Sequence, residues 1–329
     1  MDKPKMEPLF PRSLRRGDTI ALVVPASPVK RERIELAIQR LEEMGFRIKQ
    51  YGDLYRKLGY LAGDDVTRAE ELMAAFADPE VSAVFPARGG TGITRILDML
   101  DYEVIRQNPK IFAGFSDNTA LHLALQSQTG LVTIHSPHPM DGMGAPQGLS
   151  DLSARTFWRA LLEEEYDSWS GGGYVVPLSN QERELVATVF PGVARGRLVG
   201  GNLALIGALM GTPYEIETMG NILLLEDVEE RPYRIDRFLS QLKLAGKLEG
   251  LAGILLGQFT DCQPVEGKSS LTLDEIFHGY FHDLNIPVVQ NFPTGHSRDN
   301  ATLPLNVQVE LDADSRTLRI LENPVLVAG

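Results

Sequence analysis

The chain contains almost no cysteine, which excludes several classes of protein. Cys262 is the only cysteine among 329 residues, so no internal disulfide framework can form. Small secreted proteins rely on such frameworks, and a chain without one needs no oxidising compartment. Residues 1–18 carry basic side chains but lack the apolar segment of a secretory signal. We therefore expect a cytoplasmic protein.

Long apolar runs and an excess of positive charge are also missing. No stretch of about 18 apolar residues occurs, so we expect no membrane-spanning helix. Lys and Arg number 32 against 44 Asp and Glu, which gives a formal net charge of −12. Nucleic acids and anionic membrane surfaces are bound through clustered positive charge. Neither is therefore an expected partner.

The first half of the chain alternates strand and helix signals. Short apolar runs are followed by segments with apolar residues at helical spacing. Strands are predicted at 19–28, 46–51, 81–86, 110–115 and 131–137, and helices at 30–45, 67–79, 93–101, from Asn118, and at 152–165. Repeated β-α-β order predicts an α/β fold with a mostly parallel sheet. Ligands of such sheets bind at the carboxyl ends of the strands.

The pattern changes after residue 165. Residues 166–180 are rich in Gly and Ser without periodicity, which is typical of a crossing between domains. We expect an N-terminal domain at 1–165, a crossing at 166–182 and a smaller mixed α/β domain at 183–329. In the last of these we predict helices at 200–211, 233–246 and 271–283, strands at 221–230, 251–259 and 286–290, and two closing strands within 302–322.

A serine occupies the corner between a predicted strand and a predicted helix. Ser116 lies in Gly-Phe-Ser-Asp-Asn, residues 114–118. Serine is a good helix N-cap, which gives a structural interpretation. A sharp strand-to-helix turn can also present a serine as a nucleophile, although Asn118 stands where an esterase motif has its second glycine. The corner alone leaves both interpretations open.

A nucleophilic serine needs a base and a carboxylate that orients it. His296 lies in a Pro/Gly loop after a predicted strand, so it is a candidate base. Glu226 follows four apolar residues of a predicted buried strand, and a carboxylate there must be paired. Its partner could be His296, or an arginine such as Arg231 or Arg234. The order Ser, Glu, His is one that nucleophilic hydrolases use.

The other histidines and the cysteine are weaker candidates. His122 lies on an apolar helix and is expected to be structural. His278 and His282 are four apart on a helix without a third ligand, so we expect an exposed face and no metal site. His135 and His138 flank prolines after a strand and could line a substrate pocket. Cys262 is expected to be buried and inert.

The glycine-rich turn at 87–92 follows another predicted strand. It could bind a phosphate, but it lacks the lysine of a P-loop and the full spacing of a dinucleotide loop, so we expect no cofactor. Gly89 and Gly90 offer backbone N–H groups near the serine corner, and Asp117 follows the serine. Such N–H groups are the usual donors to an oxyanion.

Several blocks together resemble the serine LD-carboxypeptidase family in order and spacing. The resemblance runs from about residue 17 to about residue 322, and its blocks are ARGGTGITRILDMLD, PKIFAGFSDNTAL, GRLVGGNLALIGALMGTPYE, ILLLEDVEERPYRIDRFLSQLKLAG, LAGILLGQFTDC and PVVQNFPTGHSRDNATLPL. It implies a flavodoxin-like or amidotransferase-like N-terminal domain and a β-rich α/β C-terminal domain. The active site would lie in the cleft between them.

The resemblance also implies roles for individual residues. Ser116 would be the nucleophile, His296 the base and Glu226 its orienting acid, with an oxyanion hole at Gly90 and Asp117. No metal would be needed, and the protein would form a homodimer. Thr91 replaces the tyrosine that is usual in the family's glycine turn, and Thr294 and Asn306 are further departures. The residues expected to contact substrate are Arg88, Gly89, Thr91, His135 and Thr294.

The expected reaction is hydrolysis of the amide between an L-centre diamino acid and the terminal D-alanine of a muropeptide tetrapeptide, through an acyl-enzyme. One alternative is cleavage of a peptidyl-nucleotide antibiotic of the microcin C type, with an aromatic platform for the base at 166–174. The other alternative is a non-catalytic binding module in which Ser116 is only a helix cap. A serine-directed fluorophosphonate would label the enzyme and not the module.

Overall fold

The computed structural model describes residues 6–168 and 173–327. Part of the expected interdomain crossing, residues 169–172, lies outside these ranges, and so does part of the segment expected to hold an aromatic platform. Within the described ranges, every helix is too short or too polar to cross a membrane. The chain folds as α/β with two sheets, as the alternating pattern predicts.

The first sheet has six strands in the order β12-β5-β4-β3-β1-β2. Strands β1 to β5 run parallel to their neighbours, as predicted. Their bounds are β1 Thr19–Val23, β2 Arg47–Gln50, β3 Val81–Pro86, β4 Ile111–Gly114 and β5 Thr133–His135, and the helices between and after them are α1 Arg31–Glu43, α2 Asp65–Ala77, α3 Tyr102–Gln107, α4 Thr119–Thr129 and α5 Asp151–Leu161.

Helices cover both faces of this sheet. Ile20 and Leu22 of β1 pack into a core that contains residues of α1 and α5, whereas Ala21 and Val23 pack into a core that contains residues of α2 and α4. Alternate residues of a strand point to opposite faces, so a strand buried on both faces is apolar throughout. The second of these cores also includes residues of the second sheet, such as Leu223.

The second sheet has eight strands in the order β6-β14-β13-β8-β9-β10-β11-β7. Its central strands β8 to β11 are parallel, and antiparallel strands flank them. The strands are β6 Tyr174–Val175, β7 Ala187–Phe190, β8 Val193–Asn202, β9 Ile222–Val228, β10 Gly253–Thr260, β11 Val288–Gln290, β13 Gln308–Asp312 and β14 Thr317–Ile320, and the helices are α6 Asn180–Leu185, α7 Leu203–Ala208, α8 Pro232–Leu244 and α9 Leu273–Phe281.

One strand from the second half of the chain joins the first sheet. Strand β12, Leu303–Leu305, pairs antiparallel with β5, and Leu303 lies opposite His135. The two closing strands predicted within 302–322 are present as the antiparallel pair β13 and β14, but the prediction missed this short apolar stretch, which forms a separate strand at the edge of the other sheet. The serine-bearing sheet is thus completed by the segment that follows the histidine loop.

Two predicted helices are shorter than expected. Residues 93–101 form two single turns of 3-10 helix, Ile93–Arg95 and Leu97–Met99, instead of one helix. The helix predicted at 200–211 begins only at Leu203, because Gly200 and Gly201 belong to β8 with φ of +121° and +136°. A Cβ on Gly201 would approach Thr119 Oγ1 of α4 to 2.7 Å, so glycine permits the close contact between β8 and α4.

Candidate active site

Ser116 occupies a strained corner directly after β4. Its φ is +62°, in the left-handed region that non-glycine residues seldom adopt. Phe115 precedes it in an extended conformation, and a 3-10 turn at Ser116–Asn118 leads into α4. Such strained residues cluster at functional sites. The Ser116 hydroxyl makes no helix-capping bond, so its interpretation as a cap was wrong.

The structure brings three predicted site residues into one hydrogen-bonded chain. Ser116 Oγ lies 2.9 Å from His296 Nε2, and His296 Nδ1 lies 2.6 Å from Glu226 Oε2. Glu226 is fully buried at the carboxyl end of β9, while His296 retains 17% side-chain exposure. The serine therefore comes from the first sheet, and the two other groups come from the second. Both distances are within ordinary hydrogen-bond range.

Glu226 controls the charge of the histidine. Burial alone would lower the pKa of His296, but the charge of Glu226 and its hydrogen bond outweigh burial, and the net pKa is raised above the usual 6.5. The carboxylate thus favours the imidazolium that forms when His296 takes a proton. The alternative arginine pairing does not occur for Arg234, which bonds to Glu230 at 2.6 Å instead.

Buried hydrogen bonds fix the loop that carries His296. The Gly295 N–H donates to Asn300 Oδ1 at 3.0 Å, and the Asn300 N–H donates to Ser153 Oγ of α5 at 3.0 Å. Gly295 has φ +110°, and a Cβ there would approach Glu226 Oε2 to 2.7 Å. Thr294 is fully buried, and its hydroxyl donates to Ala301 O at 2.9 Å. The expectation that Thr294 contacts substrate was therefore wrong.

The glycine turn after β3 packs against the serine. A Cβ on Gly89 would lie 2.9 Å from Ser116 Cβ and 3.1 Å from its Oγ, so no larger residue fits there. Gly90 is exposed with φ +108°, and the Thr91 N–H donates to Ser27 Oγ at 3.0 Å. The Thr91 side chain is exposed at the turn. The structure thus places Gly89, Gly90 and Thr91 at the serine corner.

Ser27, which accepts this bond, was missed by the sequence analysis. It lies in the loop four residues after the end of β1, and a position in the loop after a buried strand is the signal that could have found it. Arg88 is half-buried, and its guanidinium donates to Pro28 O at 2.9 Å in the same loop. This bond leaves part of the Arg88 side chain accessible beside the turn.

Asp117 joins the serine corner to the glycine turn. Its buried Oδ2 accepts the Ile93 N–H at 3.0 Å, so the carboxylate caps the 3-10 turn at Ile93–Arg95. The following helix α4 begins without a side-chain cap, so Asp117 does not cap it. Burial raises the pKa of Asp117 to about 6. Its own N–H belongs to the first turn of a helix, where N–H groups lack helical partners.

Two further histidines lie beneath the corner and cannot reach a substrate. His135 is fully buried in β5 between β4 and β12, so the expectation that it contacts substrate was wrong. His122 is also fully buried, and its Nε2 lies 2.8 Å from Gly114 O. Burial lowers the pKa of His122 to about 4 and that of His135 well below 6.5. Both are neutral at neutral pH.

The remaining candidates lie away from the serine. His278 and His282 stack on each other and against Phe190 on an exposed helix face. Across residues 6–168 and 173–327, no cluster of three His, Cys, Asp or Glu side chains could hold a metal ion. Cys262 is buried, and burial raises the pKa of its thiol to about 12, which keeps it protonated.

A small cavity with both polar and apolar walls borders the serine corner and the histidine loop. Its volume is about 90 Å³, and its walls include Phe115, His138, Asp141, Ser297 and Arg298. Asp141 and Arg298 give it charges of both signs, and burial raises the pKa of Asp141. The cavity is the enclosed space next to the site in which part of a small ligand could lie.

Comparison with known proteins identifies matches over most of the chain. The family model described as the LD-carboxypeptidase N-terminal domain matches residues 20–136, and the model of the LD-carboxypeptidase C-terminal domain matches residues 195–311. A probable murein peptide carboxypeptidase of Bacillus subtilis is 38% identical over 93% of this chain and 92% of its own length. The murein tetrapeptide carboxypeptidase of Pseudomonas aeruginosa is 32% identical over 90% of this chain and 93% of its own.

A solved structure matches closely as well. The microcin C7 self-immunity protein in complex with aspartyl sulfamoyl adenosine superposes with a TM-score of 0.87 at 26% identity, covering 97% of this chain and 100% of that one.

Proposed function

This chain belongs to the LD-carboxypeptidase family, and on that premise we propose that it is a serine peptidase that releases the terminal D-alanine of muropeptide tetrapeptides. The bond cleaved is the amide between the L-centre of a diamino acid and D-alanine. The observation that carries the proposal is the continuous chain of hydrogen bonds from Ser116 through His296 to Glu226. The similarity to murein carboxypeptidases supports the substrate class.

In the proposed mechanism, Ser116 Oγ attacks the amide carbonyl while His296 Nε2 takes its proton. Glu226 holds the ring through Nδ1–H and stabilises the imidazolium. The N–H groups of Gly90 and Asp117 bind the negative oxygen of the tetrahedral intermediate. When the intermediate collapses, the imidazolium gives its proton to the amine of D-alanine, and the C–N bond breaks to leave an acyl-enzyme. A water activated by His296 then hydrolyses the ester.

The position of the site supports a role for both parts of the chain. Ser116 follows a strand of the first sheet, and Glu226 lies in strand β9 of the second, so packing of the sheets assembles the site. We propose that 1–165 and 183–329 act as the two domains. We further propose that the protein acts as a cytoplasmic homodimer in peptidoglycan recycling.

The test is release of free D-alanine from L-Ala-γ-D-Glu-meso-diaminopimelyl-D-Ala by the wild type and by Ser116→Ala. Loss of a nucleophile that acts with its base as a unit lowers kcat by about 10⁴-fold or more. We expect release by the wild type and loss of that order in the variant, with equal thermal unfolding midpoints as the folding control. A variant with near-wild-type turnover would refute the assignment of the nucleophile.

A second candidate is hydrolysis of a peptidyl-nucleotide antibiotic of the microcin C type. The structural similarity to the microcin C7 self-immunity protein bound to aspartyl sulfamoyl adenosine favours it. The same triad would attack the aminoacyl carbonyl, with the nucleotide as leaving group. If the tetrapeptide releases no D-alanine while an aspartyl-adenylate analogue with a scissile bond is cleaved in a Ser116-dependent way, this candidate replaces the first.

A further inference from the structure

His138 lies directly beneath the serine corner and contacts its backbone. The side chain is 1% exposed, and its Nε2 lies 3.3 Å from Phe115 N, 3.0 Å from Phe115 O and 2.9 Å from Asn118 Nδ2. A Cβ on Gly89 would lie 3.1 Å from His138 Cε1, so the ring also borders the glycine turn. No step of the proposed mechanism uses this histidine.

The hydrogen-bond partners determine which ring nitrogen carries the proton. Asn118 Nδ2 lies 3.2 Å from Phe115 O, an oxygen that can only accept, so this end of the amide must be the NH₂ group. The same NH₂ group points at His138 Nε2, and the Phe115 N–H points there too. Phe115 O also lies 3.0 Å from Nε2, but this oxygen already accepts the Asn118 N–H at 3.1 Å and the Asn118 NH₂ group at 3.2 Å. Nε2 therefore faces two donors and an acceptor that is already bonded, so we infer that it accepts. The proton of the neutral ring is therefore on Nδ1.

The surroundings keep the ring neutral. Burial and the charge of His296 together lower the pKa of His138 to about 3, against a smaller opposing effect of its contact with the Phe115 backbone. A proton on Nε2 would meet the N–H of Phe115 and the amide of Asn118 and would break both bonds. The acceptor at Nε2 is therefore present throughout the neutral pH range.

Phe115 connects His138 to both catalytic partners. It directly precedes Ser116, whose φ of +62° needs support from its neighbours. The centroid of the Phe115 ring lies 4.4 Å from that of the His138 ring and 4.7 Å from that of the His296 ring. Phe115 is therefore held between the two histidines. Fixing Phe115 thus fixes the backbone before the nucleophile and one face of the base.

We propose that His138 is a positioning residue for the nucleophile: as the neutral Nδ1–H tautomer it accepts the Phe115 N–H and the Asn118 amide at Nε2, and so holds Ser116 and His296 in reach of each other. The inference rests on the proposed roles of Ser116 and His296. It predicts a tautomer, which can be measured without any substrate.

The first test is ¹⁵N NMR of the full chain with labelled histidine, with the resonance assigned from its absence in His138→Gln. We expect His138 to show a protonated Nδ1 and an unprotonated Nε2, unchanged between about pH 5 and about pH 8, where ordinary histidines titrate. A protonated Nε2, or a titration in this range, would overturn the proposal.

The second test compares three variants by kcat, KM and the rate of fluorophosphonate labelling of Ser116. His138→Phe keeps a ring against Phe115 but has no acceptor, and we expect kcat and labelling to fall about 100-fold with KM within about threefold. His138→Gln can place an amide oxygen at the Nε2 position. Its kcat and labelling rate should therefore be at least tenfold higher than those of His138→Phe. The matched control, His122→Phe, removes another buried ring nitrogen that bonds to backbone and should retain labelling within about threefold.

The outcomes separate the two proposals. Equal labelling of His138→Phe and the wild type would overturn the positioning role, while Ser116-dependent D-alanine release would leave the proposed function intact. Equal losses in His138→Phe and His138→Gln would overturn the role of the acceptor. Conversely, full activity of Ser116→Ala would refute the proposed function even if the tautomer is as expected.

Discussion

The serine side and the histidine side of the site are held in place by different means. Ser116 is held by shape: its backbone is left-handed, and the turn at Gly89 leaves no room for a side chain. His296 is held by charge: a fully buried carboxylate, Glu226, contacts its Nδ1 at 2.6 Å and raises its pKa. The first sheet thus supplies geometry, and the second sheet supplies electrostatics.

This difference predicts which kind of substitution should lower activity on each side of the site. A change of shape at constant charge should damage the serine side, because steric fit there depends on single methyl groups. A change of charge at nearly constant shape should damage the histidine side, because the buried imidazolium is hydrogen-bonded to Glu226, whose charge stabilises it most. Substitutions of the two kinds can therefore test the comparison.

The largest effect is expected from Glu226→Gln, which keeps the shape and removes the charge. The carboxylate no longer stabilises the imidazolium or fixes the tautomer, so kcat should fall about 10³–10⁴-fold. The acid limb of the kcat/KM profile reports the free His296, and without the carboxylate its pKa falls. The limb should therefore move to lower pH. Both are measured from initial rates of D-alanine release across pH.

The matched control is Glu310→Gln, which removes a carboxylate that pairs with Arg195 on the same sheet. This substitution should leave both the plateau and the acid limb of the pH profile of kcat/KM unchanged. A Glu226→Gln profile with the wild-type acid limb would contradict electrostatic control of His296.

The next effect is expected from Gly89→Ala, which adds one methyl group and no charge. Its Cβ would meet Ser116 Cβ at 2.9 Å and the ring of His138 at 3.1 Å, so the serine must shift. A displacement of about 1 Å can cost about 100-fold in rate, and we expect a loss of kcat of roughly 10- to 100-fold without movement of the acid limb. Rates of D-alanine release and of fluorophosphonate labelling measure it.

Gly279→Ala is the control for this substitution. Gly279 lies in α9 with nothing within 4 Å of an added Cβ. Alanine stabilises a helix relative to glycine by up to about 1 kcal/mol. The midpoint of thermal unfolding should therefore rise, while the rate of fluorophosphonate labelling stays unchanged. Wild-type labelling by Gly89→Ala would show that the serine side does not depend on shape.

Much of the fold could be predicted from the sequence because local patterns determine it. Apolar runs and helical spacing predicted β1 to β5 along the chain, and their alternation with helices predicted the parallel sheet. The edge strand β12 could not be predicted, since Leu303–Leu305 is too short to show which sheet it joins. Pairing partners of such a strand depend on tertiary packing, which local sequence does not contain.

Site residues could be predicted from the sequence where their position at the end of a strand indicates a role in the site. Ser116 follows a buried strand and Glu226 lies near the carboxyl end of another, and the carboxyl ends of strands are where such sites form. His135 and Thr294 also lie at strand ends, but both point into the core and contact no cleft. Which way a side chain points at a strand end depends on what packs above it. In the case of His135, that includes the unforeseen strand β12.

The smallest effect on activity is expected from Asp117→Asn, which removes a charge from the side held by shape. The amide oxygen can still accept the Ile93 N–H, so kcat should stay within about fivefold, unlike that of Glu226→Gln. The pKa of Asp117 is raised from 3.8 to about 6, so the folded protein keeps a proton that the unfolded chain releases. The contribution of Asp117 to wild-type stability should therefore fall as pH rises from about 4 to about 6, by on the order of 3 kcal/mol.

Denaturant unfolding of both proteins across this range measures the difference, since Asp117→Asn has no such titration. Asp227→Asn gives the matched comparison on the histidine side, because burial raises the pKa of Asp227 to about 6 as well and the stability slope should be similar. If the free energy of unfolding of Asp117→Asn changes with pH as steeply as that of the wild type, the Asp117 carboxyl is not held in its protonated form. If its kcat falls as far as that of Glu226→Gln, charge matters equally on both sides, and the division between shape and electrostatics is wrong.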